Sequence, residues 1–198
     1  LPQRNVDFGG GLERIAAAKV GNPDVFHVDL LHTVVQQIVT LSGQLYAGNE
    51  VAFRVITDHI RGAVFMIGDN VYPSNDQQGY FVRRLLRRAV RYADKIGIPA
   101  GKFAELAESV ITTYEVHYPN LAKKREDIKT AIAREEEQFR KTLEAGLKQF
   151  NKVSLQIHLT SKEVDGQKVI DKDVAPVAKQ AISAQNAFDL YTTYGFPI

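Results

Sequence analysis

Five arginines fall within nine residues: Arg83, Arg84, Arg87, Arg88 and Arg91. On a helix, Arg84, Arg87, Arg88 and Arg91 share one face, and Val82, Leu85, Leu86, Ala89, Ala93 and Ile96 share the opposite one. No carboxylate interrupts the run before Asp94, so the guanidinium groups repel one another unless an anion sits among them. Phosphate is the natural anion, because guanidinium matches it bidentately and a nucleic-acid backbone presents a row of phosphates. The competing reading is a solvated face paired to acidic residues elsewhere in the chain. Tyr80 and Tyr92 lie beside the cluster, where they can stack on bases or serve the core.

A second candidate is the stretch Asp7-Phe8-Gly9-Gly10-Gly11-Leu12-Glu13-Arg14. Glycines let backbone amides approach a ligand, and an arginine at the start of a helix can reach a phosphate tail. The stretch lacks the Gly-Lys-Ser/Thr ending of a Walker loop and the spacing of the dinucleotide fingerprint, so a plain turn is the competing reading. Asp58, His59 and Arg61 lie on an otherwise apolar helix and are expected to form an internal polar network. The five histidines are scattered without paired-ligand spacing, so no metal site is expected. The chain has no cysteine, which excludes thiolate chemistry and disulfides, and no serine sits in a nucleophile elbow.

The elements that must position these residues follow from periodicity. Helices are predicted at residues 12–19, from Asp29 as cap to Ser42-Gly43, at 51–68, at 80–96 and at 103–116. Pro73-Ser74-Asn75-Asp76 followed by Gly79 predicts a turn, and Gly97-Ile98-Pro99 a break. Residues 121–151 read as one long helix with the stripe Ile128, Ile132, Phe139, Leu143, Leu147 and Phe150, in which Glu135 occupies an apolar position. Glu136/Arg140, Glu137/Lys141 and Glu144/Lys148 sit along it in the favourable i,i+4 order. Leu155, Ile157 and Leu159 then alternate with polar residues, and Asp165-Gly166 precedes residues 168–170, the pattern of a small β-hairpin. A last helix is expected over residues 177–193. The fold class is therefore mainly α.

Composition bounds the function. The 198 residues are 44% hydrophobic and 24% charged, ordinary for a globular chain. The longest apolar run, Ala63 to Ile67, is five residues, where a membrane span needs about twenty, so no membrane association is expected. A net charge of +2 does not announce a nucleic-acid binder globally, and any such function must be local. The absence of cysteine fits a reducing, cytoplasmic location. Opening at Leu1 and stopping after Gly195-Phe196-Pro197, the chain reads as part of a longer protein.

Three stretches in order resemble one family. Residues 6–15, Val-Asp-Phe-Gly-Gly-Gly-Leu-Glu-Arg-Ile, resemble motif 3 of class II aminoacyl-tRNA synthetases in the form used by the alanyl-tRNA synthetases. Residues 54–61, Pro73-Ser74-Asn75 and residues 79–89 are similar to that family's helical tRNA-recognising region. Residues 135–144 and the terminal Tyr-Thr-Thr-Tyr-Gly-Phe-Pro of residues 191–197 complete the resemblance, which spans nearly the whole chain.

The resemblance implies a ligase that activates alanine with ATP and Mg2+ and transfers it to alanine tRNA. It assigns Arg14 to the ATP γ-phosphate, Gly9 and Gly11 to the room the adenine needs, and Asp7 to the alanine ammonium group. It assigns recognition of a G·U wobble pair in the acceptor stem to Asn75 and to an aspartate where this chain has Thr192, with Asp189 about one helical turn away. Arg84, Arg87, Arg88 and Arg91 would position the stem through its phosphates. Phe8 replaces the usual threonine and Gln78 the usual arginine. The implied organisation is the end of the catalytic domain at residues 1–20 and a helical recognition domain at 21–198, with an insertion at 152–179. Class II motifs 1 and 2 would precede Leu1, so this stretch is not expected to activate alanine alone. The second reading is a synthetase-like RNA- or protein-binding module without ligase activity.

Overall fold

The computed structural model describes residues 9–158, 162–164, 167–169, 184–185 and 187–188. Seven α-helices lie within residues 9–158: α1 Leu12–Val20, α2 Asp29–Ser42, α3 Glu50–Gly68, α4 Gln77–Lys95, α5 Leu106–Tyr114, α6 Pro119–Lys123 and α7 Arg125–His158. The chain divides into two compact units, residues 1–137 and 138–198.

In the first unit α3 is the central element. Phe53, Ile56, Ile60, Ala63, Val64 and Ile67 are all fully buried, as expected for a helix apolar on most sides. It packs against α2, α4 and α5. Gly62 faces Leu85 where the two helices α3 and α4 meet, and a Cβ there would make an ordinary contact at 3.6 Å from Leu85 Cδ1. From α4, Val82, Leu86, Ala89, Val90 and Ala93 are buried, so the apolar face read from the sequence is the packed face.

Helix ends follow local chemistry. Gly43 closes α2 at φ 68°, a left-handed conformation that glycine adopts without steric cost. Asp29, expected as the cap, is instead the first helical residue. Its Oδ1 accepts the N–H of Leu30 at 2.8 Å while Val28 holds the extended capping position, because a 3-10 turn over Val25–His27 delivers the chain one residue early.

Two boundaries differ from expectation in ways that matter for the site. Helix α4 starts at Gln77, so Gly79 belongs to its first turn rather than to the preceding loop. The single helix expected over residues 121–151 is interrupted at Lys124 and continues beyond it to His158. At the interruption Lys124 Nζ donates to Gly68 O and Asn70 Oδ1, both at 2.7 Å, tying the chain to the end of α3. The continuation places Leu155 and Ile157 in helix rather than strand, since extending an existing helix costs far less than starting another element.

In the second unit, α7 continues from Gln138, with Lys148 Nζ 2.7 Å from Glu144 Oε1. Lys162–Val164 (β1) and Gln167–Val169 (β2) pair antiparallel, Lys162 opposite Val169. Of the helix expected over residues 177–193, the described positions 184, 185, 187 and 188 are helical and the rest lie outside the described residues. No described helix is long and apolar enough to cross a membrane.

Candidate functional site

The site grows from the turn before α4. Ser74 Oγ accepts the N–H of Asp76 at 3.3 Å and donates to Asp76 O at 2.9 Å, and Ser74 N donates to Gly79 O at 3.1 Å. These bonds fold the turn back on the helix. Only glycine fits at position 79, because a Cβ there would run into Ser74 Oγ and lie 2.5 Å from the Tyr72 carbonyl oxygen. Gln77 enters the helix at φ 48°, a conformation uncommon outside glycine. The result is a closely held turn that exposes Asn75 at its apex.

The α4 arginines split into two groups. Arg84, Arg88 and Arg91 are exposed and spaced i, i+4, i+7, so they form one stripe. None of the three makes an ion pair among the described residues. Arg83 and Arg87 are half-buried and converge on Glu135 of α7, Arg83 Nε at 3.3 Å from Oε2 and Arg87 Nε at 2.7 Å from Oε1. The Glu135 side chain is only 6% exposed. The carboxylate that interrupts the apolar stripe of α7 is therefore the counter-ion that the arginine run lacks locally. Burying it unpaired would cost several kcal/mol, and two charge-assisted bonds offset that cost.

Arg83 also reaches the turn, where its Nη1 donates to Asn75 Oδ1. Guanidinium has no acceptor, so only the amide oxygen can face it. Asn75 thus turns its NH2 group away from Arg83. Exposed aromatics surround this end of α4: Tyr72, Tyr80 and Phe81 are 42%, 42% and 60% exposed. Tyr92, at the other end, carries Lys95 Nζ 5.0 Å from its ring centroid.

The glycine turn and α1 form the other candidate. Gly9, Gly11 and Arg14 are exposed, and a Cβ at Gly9 would meet nothing within 4 Å. Arg14 edges an open hollow of about 350 Å³ shared with Asn22 and Pro23. Beside it, Glu13 Oε1 accepts from Arg61 Nη1, and Arg61 lies 3.3 Å from Tyr114 Oη. The Arg61 hydrogen bond holds the Glu13 carboxyl below its ordinary value. The internal network expected at Asp58, His59 and Arg61 is thus divided. Arg61 ties α1 to α3 and α5, while Asp58 and His59 pair with each other at 3.0 Å, with Asp58 exposed.

Asp7 and Thr192 lie outside the described residues. The reading of residue types missed Arg83 and Glu135 as site residues. The signal was present in Glu135, a charge in an apolar stripe of a chain with an unneutralised arginine cluster.

Comparison with known proteins places this geometry in a family. The family model described as tRNA synthetases class II (A) matches residues 1–198. The alanine–tRNA ligases of Staphylococcus aureus strains JH9, Newman and N315 are each 38% identical over 201 residues. Each alignment covers 100% of this chain and 21% of the relative, so the chain spans about a fifth of those proteins' length. With the family model matching from the first residue to the last, the chain belongs to the class II (A) tRNA synthetases.

Proposed function

We propose that this chain is the stretch of an alanine–tRNA ligase that grips and reads the acceptor stem of alanine tRNA. The observation that carries the reading is an exposed arginine stripe on α4 leading back to a rigid turn that presents Asn75. Arg84, Arg88 and Arg91 span about 10 Å along the helix axis, enough for about three phosphates of one strand. Such contacts position a stem without reading its sequence, and base readout needs a side chain with fixed donors or acceptors. Asn75 supplies it. Arg87 contributes positive charge while its Nε is held by Glu135. Thr192 would complete the recognition from the end of the chain.

In the same reading, residues 1–20 end the catalytic domain and residues 21–198 form the recognition domain, with the paired strands β1 and β2 as a hairpin inserted within 152–179. ATP, with Mg2+ on its phosphates, and alanine are the substrates of the whole protein. Arg14, exposed at the start of α1, fits a triphosphate tail, and Gly9 and Gly11 leave space beside it. Asp7 would hold the alanine ammonium group. The reading carries with it a cytoplasmic place in translation.

The test is binding of this chain to an acceptor-stem RNA hairpin carrying G·U, against the same hairpin with G·C, across a salt series. The expected result is steep salt dependence and a preference of about 1 kcal/mol or more for G·U. Equal binding to both hairpins overturns base readout, and salt-independent binding overturns the phosphate grip.

A further inference from the structure

We infer that Glu135 is a positioning residue for base readout, acting through Arg83 to fix the Asn75 amide as a hydrogen-bond donor. This rests on the reading of Asn75 as the base reader. The structure supplies a continuous chain of contacts. Glu135 Oε1 and Oε2 are both engaged, by Arg87 Nε at 2.7 Å and Arg83 Nε at 3.3 Å. Arg83 in turn gives Nη1 to Asn75 Oδ1. Nε and Nη1 of one planar guanidinium are therefore committed to two partners, so that the plane cannot turn without breaking one of the two bonds.

The consequence is chemical. A free asparagine amide presents either a carbonyl acceptor or an NH2 donor after a half-turn about its last torsion, and so matches both kinds of base-edge group. With Oδ1 held by a group that only donates, the half-turn would set NH2 against guanidinium. Asn75 is left with its donor facing outward, and the ligand atom it fits is an acceptor on a base edge, such as a pyrimidine O2 or a purine N3 in the shallow groove of an RNA helix. Glu135 makes this rigid rather than average. Without it Arg83 is one of five guanidiniums in mutual repulsion, drawn to solvent or to the RNA phosphates instead of to Asn75.

A merely structural salt bridge would behave differently. It would contribute to stability and to the general grip on RNA, not to the choice between base pairs. The discriminating experiment uses the G·U and G·C hairpins with the wild-type chain and with Glu135→Gln, Arg83→Gln, Asn75→Ala and the double variant Glu135→Gln/Asn75→Ala. Glu135→Gln keeps shape but removes the charge that holds both arginines.

The expected result is that Glu135→Gln and Arg83→Gln each bring the G·U preference to within about twofold of unity. The salt slope of Glu135→Gln stays within about one unit of wild type, since every phosphate-binding arginine remains. In the Asn75→Ala background, Glu135→Gln changes the preference less than about twofold, because the two residues act on one hydrogen bond to the base. A wild-type preference that Asn75→Ala leaves intact overturns the reading of Asn75 and the proposal with it. A preference abolished in Asn75→Ala but retained in both Glu135→Gln and Arg83→Gln overturns the positioning role alone. Full additivity in the double variant overturns it as well. Should Glu135→Gln lose its cooperative helical melt, Arg83→Gln decides, since it frees the Asn75 amide without removing the buried carboxylate.

Discussion

Glu135 Oε1 lies 2.7 Å from Arg87 Nε, joining the two helices that carry the most charge in the first unit through a carboxylate almost closed to solvent. Helix α4 presents its remaining arginines outward, while Glu135 interrupts the apolar spacing of Ile128 and Ile132 on α7. One exchange resolves both problems. The arginine run gains an internal anion, and the buried acid gains partners.

That relationship predicts a stability effect with a characteristic asymmetry. Glu135→Ala leaves Arg83 and Arg87 facing each other without a counter-charge and is expected to cost about 2–4 kcal/mol. The triple variant Arg83→Met/Arg87→Met/Glu135→Met, which removes all three charges together and fills the volume, is expected to cost distinctly less. Urea unfolding of the two variants followed by circular dichroism checks this. Equal losses would mean that the unpaired guanidiniums left by Glu135→Ala are not what sets the effect.

Gly79→Ala should destabilise despite its helical position. In an ordinary helix interior, exchanging glycine for alanine gains up to about 1 kcal/mol. Here the added methyl meets Ser74 Oγ and the Tyr72 carbonyl, and the expected loss is about 1–3 kcal/mol. A rise in melting temperature would show that the turn does not pack on α4 as described. G·U preference measured on the same variant should fall with the loss of the turn.

Asn75→Asp keeps the shape of the side chain and replaces its donor by a second acceptor. Arg83 would hold the carboxylate more firmly than the amide, but nothing would remain to donate to a base edge. G·U preference is expected to vanish by about 1–3 kcal/mol of discrimination. An unchanged preference in the paired-hairpin assay would show that Asn75 does not read through its NH2 group.

The exposed stripe should behave as a pure electrostatic grip. Replacing Arg84, Arg88 and Arg91 together by Gln is expected to weaken both hairpins alike. It should also lower the slope of log K against log salt by about 2–3, close to one unit for each phosphate no longer neutralised. A slope that does not change would place the phosphate-binding groups elsewhere on the molecule.

Acid should release α1 before the bundle melts. The Arg61 hydrogen bond lowers the Glu13 pKa from its ordinary 4.5. The folded state therefore binds the proton less readily than the unfolded chain does. This contribution is fully present above pH 4.5 and fades as the pH falls through the lowered folded value. Melting temperatures between about pH 6 and pH 3 should fall more for wild type than for Glu13→Gln, which has no proton to take up. Parallel curves would show that this pair contributes nothing to the pH dependence.

What the sequence determined by itself is local and periodic. The helical class, the apolar face of α4, the depth of α3 and the left-handed end of α2 at Gly43 follow from spacing and residue type, because a helix places every third or fourth residue together whatever surrounds it. The family was legible for a related reason. Val-Asp-Phe-Gly-Gly-Gly-Leu-Glu-Arg, Pro-Ser-Asn and the arginine run are short stretches whose order survives without knowledge of the fold.

Tertiary structure alone decided which charges are free. Residues 83 and 84 are neighbours in the chain, yet one arginine is committed to Glu135 and Asn75 while the other faces solvent. The Lys124 side chain at the break likewise bonds carbonyl and amide oxygens more than fifty positions earlier, and Glu136, whose spacing offered it Arg140, is buried on the Gly101 N–H. An ion pair depends on distance and dielectric in three dimensions, and nothing in a linear pattern encodes which of two adjacent guanidiniums lies within 4 Å of a carboxylate some fifty residues away.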